Sequence, residues 1–244
     1  LVVLAFGQAV FNRRLGIIPR LALIAVVLAT IYVAFVVQND WKSGWVPALI
    51  GIAAIFMVSS WRVAILMVVA GLVPTAVLLQ RAVTSDTYSY STRIEAWEIL
   101  ARIIRVNPVL GLGPSNYYWY TPLFSIRGYN VQFNSHSQYV DLVAQFGIVG
   151  LLAFLWFVFE IVRVASRLWR APVTDGFARA YVYSAIGGFA ASLAAGFFGD
   201  WLLPFFYNVG LAGFRASMLP WLFMGGLVAI AAMNLPRLAD KEAS

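Results

Sequence analysis

The chain carries one histidine, His136, in the run Asn134-Ser135-His136-Ser137-Gln138, and no cysteine. A single histidine without cysteines cannot build a familiar zinc site, so the chemistry open to it is proton transfer near neutral pH. Asp141 follows five residues later, nearly back on the same side of a helix, and is expected to orient the ring as a supporting residue. Lone histidines are more often structural or exposed; this one stands where a long polar segment meets an apolar run, which favours chemistry. Arg81, Arg93, Arg102, Arg105 and Arg127 share that segment, and Arg215 follows further on. Guanidinium is the preferred partner for bidentate phosphate recognition. Arg102 and Arg105 read as the solvated face of a helix that also carries glutamates. Arg93, Arg127 and Arg215 are the candidates for an anionic group, although Asp200 could serve Arg215. Gly111-Leu112-Gly113-Pro114-Ser115-Asn116 permits a tight turn and is weak evidence for phosphate binding. The run Tyr117-Tyr118-Trp119-Tyr120 fits either an interfacial aromatic belt or a binding face.

The elements that must hold these groups are written in the composition. Of 244 residues, 62% are hydrophobic and 11% charged, against about 45–50% and about 25% in soluble domains. This excludes soluble, disordered and fibrous classes, and the absence of cysteine excludes a disulfide scaffold. Crossing a bilayer core takes about 20 apolar residues. Stretches 21–37, 44–60, 63–79, 139–162, 177–199 and 217–233 qualify. The apolar run 1–11 is too short to span and reads as the tail of a truncated helix, and the chain as the C-terminal part of a longer protein. The expectation is an all-α, polytopic transmembrane helix bundle. It divides into transmembrane helices over 1–79, an extracytoplasmic segment over 80–138, three transmembrane helices over 139–233 and a cytoplasmic tail over 234–244.

Lys and Arg near span ends stay on the cytoplasmic side. Clusters at Arg13, Arg14 and Arg20, at Arg163, Arg167 and Arg170, and at Arg237 and Lys241 can all be placed inside with these spans. The formal charge of +7 then divides into ten basic and four acidic residues inside, and seven and six outside. The excess is mostly a topology signal, and no nucleic-acid partner is expected. In the outer segment, Thr92-Arg93-Ile94-Glu95 fits a capping box. Ile94, Trp97, Ala101 and Ile104, widened by Leu100 and Ile103, recur at helical spacing until Asn107-Pro108. This predicts an amphipathic helix that either lies in the membrane interface or packs on the bundle.

The chain resembles the O-antigen ligase and polymerase family of membrane glycosyltransferases. The resemblance runs through Arg93-x-x-x-Trp97, Asn107-Pro108-Val109-Leu110-Gly111-Leu112-Gly113, and His136-Ser137-x-Tyr139 leading into Asp141-Leu142-x-x-x-Phe146-Gly147-Ile148-x-Gly150. It differs in Ser137, where Asn often follows the histidine, and in Gln145, where Glu is frequent. The resemblance implies a transferase without metal or other cofactor, in the bacterial inner membrane with its site facing the periplasm. It implies a polyprenyl-pyrophosphate-linked glycan donor and a glycan, lipid or protein acceptor. By position, His136 looks like the family's general base and Arg93 like an arginine near the lipid pyrophosphate. Arg127 or Arg215 would assist Arg93, while Tyr117 and Tyr120 would stack on sugar rings. His136, Arg93 and Arg215 should then converge on one outward-facing cavity. A transporter or flippase would instead show paired broken helices or polar groups at mid-membrane depth. Pro74 and Pro204 are the main interruptions in sequence. A non-catalytic scaffold would leave the three residues apart.

Overall fold

The structure, a computed structural model, describes residues 1–37, 42–60, 62, 63, 65, 66, 87–171, 176–203 and 206–242, without the side chains at 35, 42, 43, 87, 206–210, 212, 213, 215, 216 and 235–242. Seven α-helices are described: α1 (Val2–Phe11), α2 (Ile17–Tyr32), α3 (Lys42–Ser59), α4 (Thr87–Ile104), α5 (Gln138–Arg170), α6 (Gly176–Ala195) and α7 (Phe206–Glu242). A π-helical turn, Val33–Val37, continues α2, and 3-10 turns occupy Tyr117–Trp119 and Thr121–Leu123. Among the described residues there is no strand, only an isolated antiparallel bridge between Ile126 and Tyr129. By length and composition, α5 and the Ser217–Asn234 part of α7 are long and apolar enough to cross a membrane. The stretches expected at 21–37 and 44–60 fold as α2 with its π turn and as α3. Most of the stretch expected at 63–79 lies outside the described residues. Of the stretch 177–199, the part up to Ala195 forms α6, whose small residues Ala180, Ser184, Ala185, Gly187 and Gly188 are buried, and 196–199 is turn.

Two compact units divide the chain. Unit 1 comprises Leu1–Val69, Phe159–Ala195 and Met218–Ser244; unit 2 comprises Ala70–Val158 and Gly196–Ser217. In unit 1, α3 and α6 cross at two glycines. A Cβ on Gly51 would lie 2.8 Å from the carbonyl oxygen of Gly187, and one on Gly187 would lie 2.5 Å from that of Gly51. Only residues without side chains allow two helix backbones this close. Val2, Val3, Ala5, Val27 and Ile55 fill the core beside the crossing. The α1–α2 turn is tied by Asn12 Nδ2 donating to Gln8 Oε1 at 2.9 Å and Arg20 Nη2 donating to the Asn12 carbonyl at 2.9 Å.

Unit 2 is built on α4. Its buried stripe is Ala96, Ile99, Leu100 and Ile103, packed against Tyr117, Ile126 and Ala144. That corrects the sequence reading in two ways. The stripe is turned from the expected one, with Ala101 exposed; its cover by Tyr117, Ile126 and Ala144 is packing on the protein, one of the two alternatives left open. The helix also starts five residues before Thr92, so there is no capping box. The Thr92 hydroxyl donates to the Tyr88 carbonyl at 2.7 Å, and Glu95 accepts from a distant backbone N–H.

Helix α5 is broken at Gly147, where φ is 63° and ψ is −162°. A break there removes the bonds that the N–H groups of Ile148 and Val149 would make to the carbonyls of Ala144 and Gln145. The segment 108–113 replaces both halves. Leu112 and Gly113 donate to the carbonyls of Ala144 and Gln145 at 3.0 and 2.9 Å. Ile148 and Val149 donate to those of Pro108 and Val109 at 2.9 and 3.2 Å. No freed group is left over, as buried backbone requires. Glycine is needed on both sides: Cβ atoms at Gly111 and Gly147 would overlap the facing backbone, and both have positive φ. From Ile148 to Arg170 the helix is about 34 Å long at 1.5 Å per residue, and its exposed apolar residues begin at Ile148 and Val149.

Candidate functional site

The break leaves 138–146 as a short helix whose start is fixed on every side. The Gln138 amide donates to the Gly196 carbonyl at 2.8 Å, and its side-chain Oε1 accepts from the N–H groups of Leu202 and Leu203 at 2.9 and 2.8 Å. Just ahead, Ser135 Oγ donates to the Ser137 carbonyl at 2.7 Å and accepts from the Ser137 N–H at 2.9 Å. Trp97, reaching from α4, donates its indole N–H to the Ser135 carbonyl at 2.8 Å. Ser135 and Ser137 are buried while His136 between them is exposed, in the left-handed conformation with φ of 50°. Non-glycine residues hold that conformation only where surroundings over-determine it. Here two tied-down serines push one imidazole outward, and the backbone N–H of His136 donates to Asn134 Oδ1 at 3.2 Å.

Packing round the base of the ring lowers the His136 pKa below its ordinary value, and the Arg93 cation lowers it further, against the opposing charge of Asp141. The imidazole is therefore neutral at physiological pH, with a lone pair to accept a proton. Arg93 stands one helical turn before Trp97, on the α4 face turned to the histidine loop.

Asp141, expected to orient the ring, acts on His136 through its charge and is itself tied into the loop. It accepts the Tyr117 hydroxyl at 2.6 Å and makes further hydrogen bonds with Ser135 and Asp200. All three polar residues around it are buried. It holds the backbone that presents His136. Tyr117, expected to stack on a sugar ring, has a fully buried ring that stacks on Tyr118 with centroids 4.6 Å apart. Burial and the Asp141 charge push its phenol pKa up, keeping it a donor. Tyr120, 37% exposed, and Trp119, 73% exposed, are the open faces of this aromatic run.

Arg127 does have a partner, one separated too far in sequence to see. Its Nε lies 3.4 Å from Glu95 Oε2 and donates to Thr92 Oγ1 at 3.0 Å. Its Nη2 donates to Ser91 Oγ, its backbone N–H donates to Glu95 Oε1 at 3.1 Å, and its guanidinium lies over the Tyr88 ring. These contacts fasten the 126–129 turn to α4. Arg215 lies on α7 within unit 2, and its side chain is outside the described ones. Arg93 and His136 are thus brought together, and Arg127 is committed elsewhere. Trp97, Ser135, Gln138 and Asp200 complete the support. Only Trp97 carried a signal, its spacing from Arg93. Gln145, the departure from the usual glutamate, accepts from the Ser115 N–H at 2.9 Å and so holds the 113–116 turn. Among the described residues, no group of three His, Cys, Asp or Glu is placed to hold a metal ion.

No curated protein and no solved structure matches the chain. A family model described as O-Antigen ligase matches residues 19–155, more than half of its length and all of the histidine loop.

Proposed function

The chain belongs to the O-antigen ligase family, and from that premise we propose that it transfers a glycan from a polyprenyl-pyrophosphate-linked donor to an acceptor hydroxyl, with His136 as general base. The acceptor oxygen attacks the anomeric carbon, its proton passes to the neutral imidazole, and the bond to pyrophosphate breaks. Arg93 meets the charge that develops on the leaving phosphate, which hydrogen-bonding cations stabilise most when already in place. Arg215 is the second candidate for that role, and Arg127 is a fastening of the fold. Trp119 and Tyr120 offer aromatic faces for sugar rings. In this reading the guanidinium groups supply the electrophilic help that a metal would give, and the site faces the periplasmic side of the inner membrane.

One observation carries the reading: the only histidine is held outward by two buried serines, in a strained backbone conformation, beside an arginine of the family motif. The broken helix is the feature a transporter would use. Its freed backbone groups, however, are all capped by 108–113, leaving none for a transported ion. The test is transfer in proteoliposomes with lipid-linked donor and an acceptor glycan, lipid or protein. His136→Ala should abolish transfer and leave donor binding intact, whereas normal transfer by that variant would sink the assignment. Which acceptor is consumed separates ligase from polymerase.

A further inference from the structure

Unit 1 holds two cavities that share one wall. The first, about 200 Å³, lies between the end of α5 and α6 and is lined by Trp169, Arg170, Arg179 and Tyr183. The second, about 330 Å³, is walled mainly by side chains of the same two helices, among them Val162, Ile186, Phe189 and Leu193, and closed by Val58 of α3 and Leu227 of α7. Trp169 lines both. A cationic chamber therefore opens beside a hydrocarbon-like groove.

Arg170 is the last residue of α5, which is long and apolar enough to cross a membrane by length and composition, and with α5 as a span the chamber would lie near its basic, Arg163- and Arg167-bearing end. Neither Arg170 nor Arg179 has an ion-pair or hydrogen-bond partner among the described residues. Two guanidinium groups facing one cavity repel each other, and an anion between them relieves that repulsion while making charge-assisted hydrogen bonds. Tyr183 is held in place by stacking on Phe11, with centroids 4.4 Å apart. Trp and Tyr at this level are the side chains suited to a headgroup region. A free anion would explain the chamber alone. The adjoining groove calls for a ligand with a tail.

We infer that the paired cavities bind one anionic phospholipid, its phosphate between Arg170 and Arg179 and an acyl chain in the groove beyond Trp169. Basic pockets between membrane helices are suited to such headgroups. The site is separate from the chemistry around His136 and stands or falls without it.

The test uses the full chain in nanodiscs of phosphatidylcholine with a minor fraction of phosphatidylglycerol, followed by native mass spectrometry of the lipid retained. The wild type should keep one phosphatidylglycerol in preference to phosphatidylcholine. The double variant Arg170→Gln/Arg179→Gln should weaken that retention about 30-fold, as expected for removing two membrane-facing cations. Arg170→Lys/Arg179→Lys, which keeps the charge, should retain most of it and shows that loss is not misfolding. Ala190→Phe fills the groove and should also release the lipid. Unchanged retention in the glutamine variant overturns the proposal. So does unchanged retention in Ala190→Phe, or displacement by millimolar inorganic phosphate, since either reduces the site to a headgroup or free-anion contact.

Discussion

The two units are held together by different physics. In unit 1, helices satisfy their own backbones and associate where side chains vanish, at Gly51 and Gly187, around an apolar core. In unit 2, irregular backbone between Asn107 and Ser137 has no ladder of its own, so side chains and borrowed helix carbonyls complete it: Trp97, Gln138, Gln145, Asp141 and the broken turn of α5. Close packing tolerates small changes of shape, whereas a polar tie is present or absent. In the proposed reading the reacting group sits in unit 2, where directional bonds fix the backbone on both sides of His136.

That contrast can be broken at several points. The largest effect is expected from His136→Ala, which should lower kcat by at least about 100-fold with thermal unfolding unchanged, since the ring itself is exposed and ties nothing down. A matching loss of stability would show that the residue belongs to the scaffold. Next, Gly147→Ala should cost at least about 3 kcal/mol, because it adds a Cβ onto the Val109 carbonyl at positive φ. Gly51→Ala in unit 1, where helices can shift apart, should cost about 1–3 kcal/mol. Chemical denaturation of both variants, compared side by side, sharpens or reverses the ranking of the two units.

Trp97→Phe keeps an aromatic, though smaller, side chain and removes the indole N–H, leaving the Ser135 carbonyl without its 2.8 Å donor. It should lower kcat about tenfold with little change in KM for the donor, a split that a purely structural tryptophan would not produce. The pH profile offers a finer reading. Because packing and the Arg93 cation lower the His136 pKa, the protonated, inactive form should accumulate only below the ordinary histidine range. kcat/KM should therefore rise with pH through a midpoint below 6.5 and then stay flat. Arg93→Gln should move that midpoint upward while slowing the reaction, and an unmoved midpoint would separate the two residues. The smallest effect is expected from Arg127→Ala. It should cost about 1 kcal/mol of stability through the exposed pair with Glu95 and its neighbouring hydrogen bonds, and should leave donor KM nearly unchanged.

Much of this architecture could be read from local pattern, and the limits are as physical as the successes. Apolar runs announce α2, α3, α5 and α7 because each must face hydrocarbon or core along its whole length. The spacing of Arg93 from Trp97 placed both on one face of α4, and His136 was singled out by being alone. The start of α4 was missed because Thr92 and Glu95, an apparent cap, are used instead in an internal hydroxyl bond and in a contact with Arg127, 32 residues away. Tyr117 looks like a binding aromatic because it opens the run Tyr117-Tyr118-Trp119-Tyr120, yet its hydroxyl meets Asp141 and its ring is core. The break at Gly147 was hidden for the same reason: a glycine in an apolar helix is common, and what makes this one a break is a segment more than thirty residues earlier.

That joint also behaves as a mechanical key. With Leu112, Gly113, Ile148 and Val149 all bonded across it, the 138–146 helix cannot turn about its own axis without first withdrawing 108–113 from the gap.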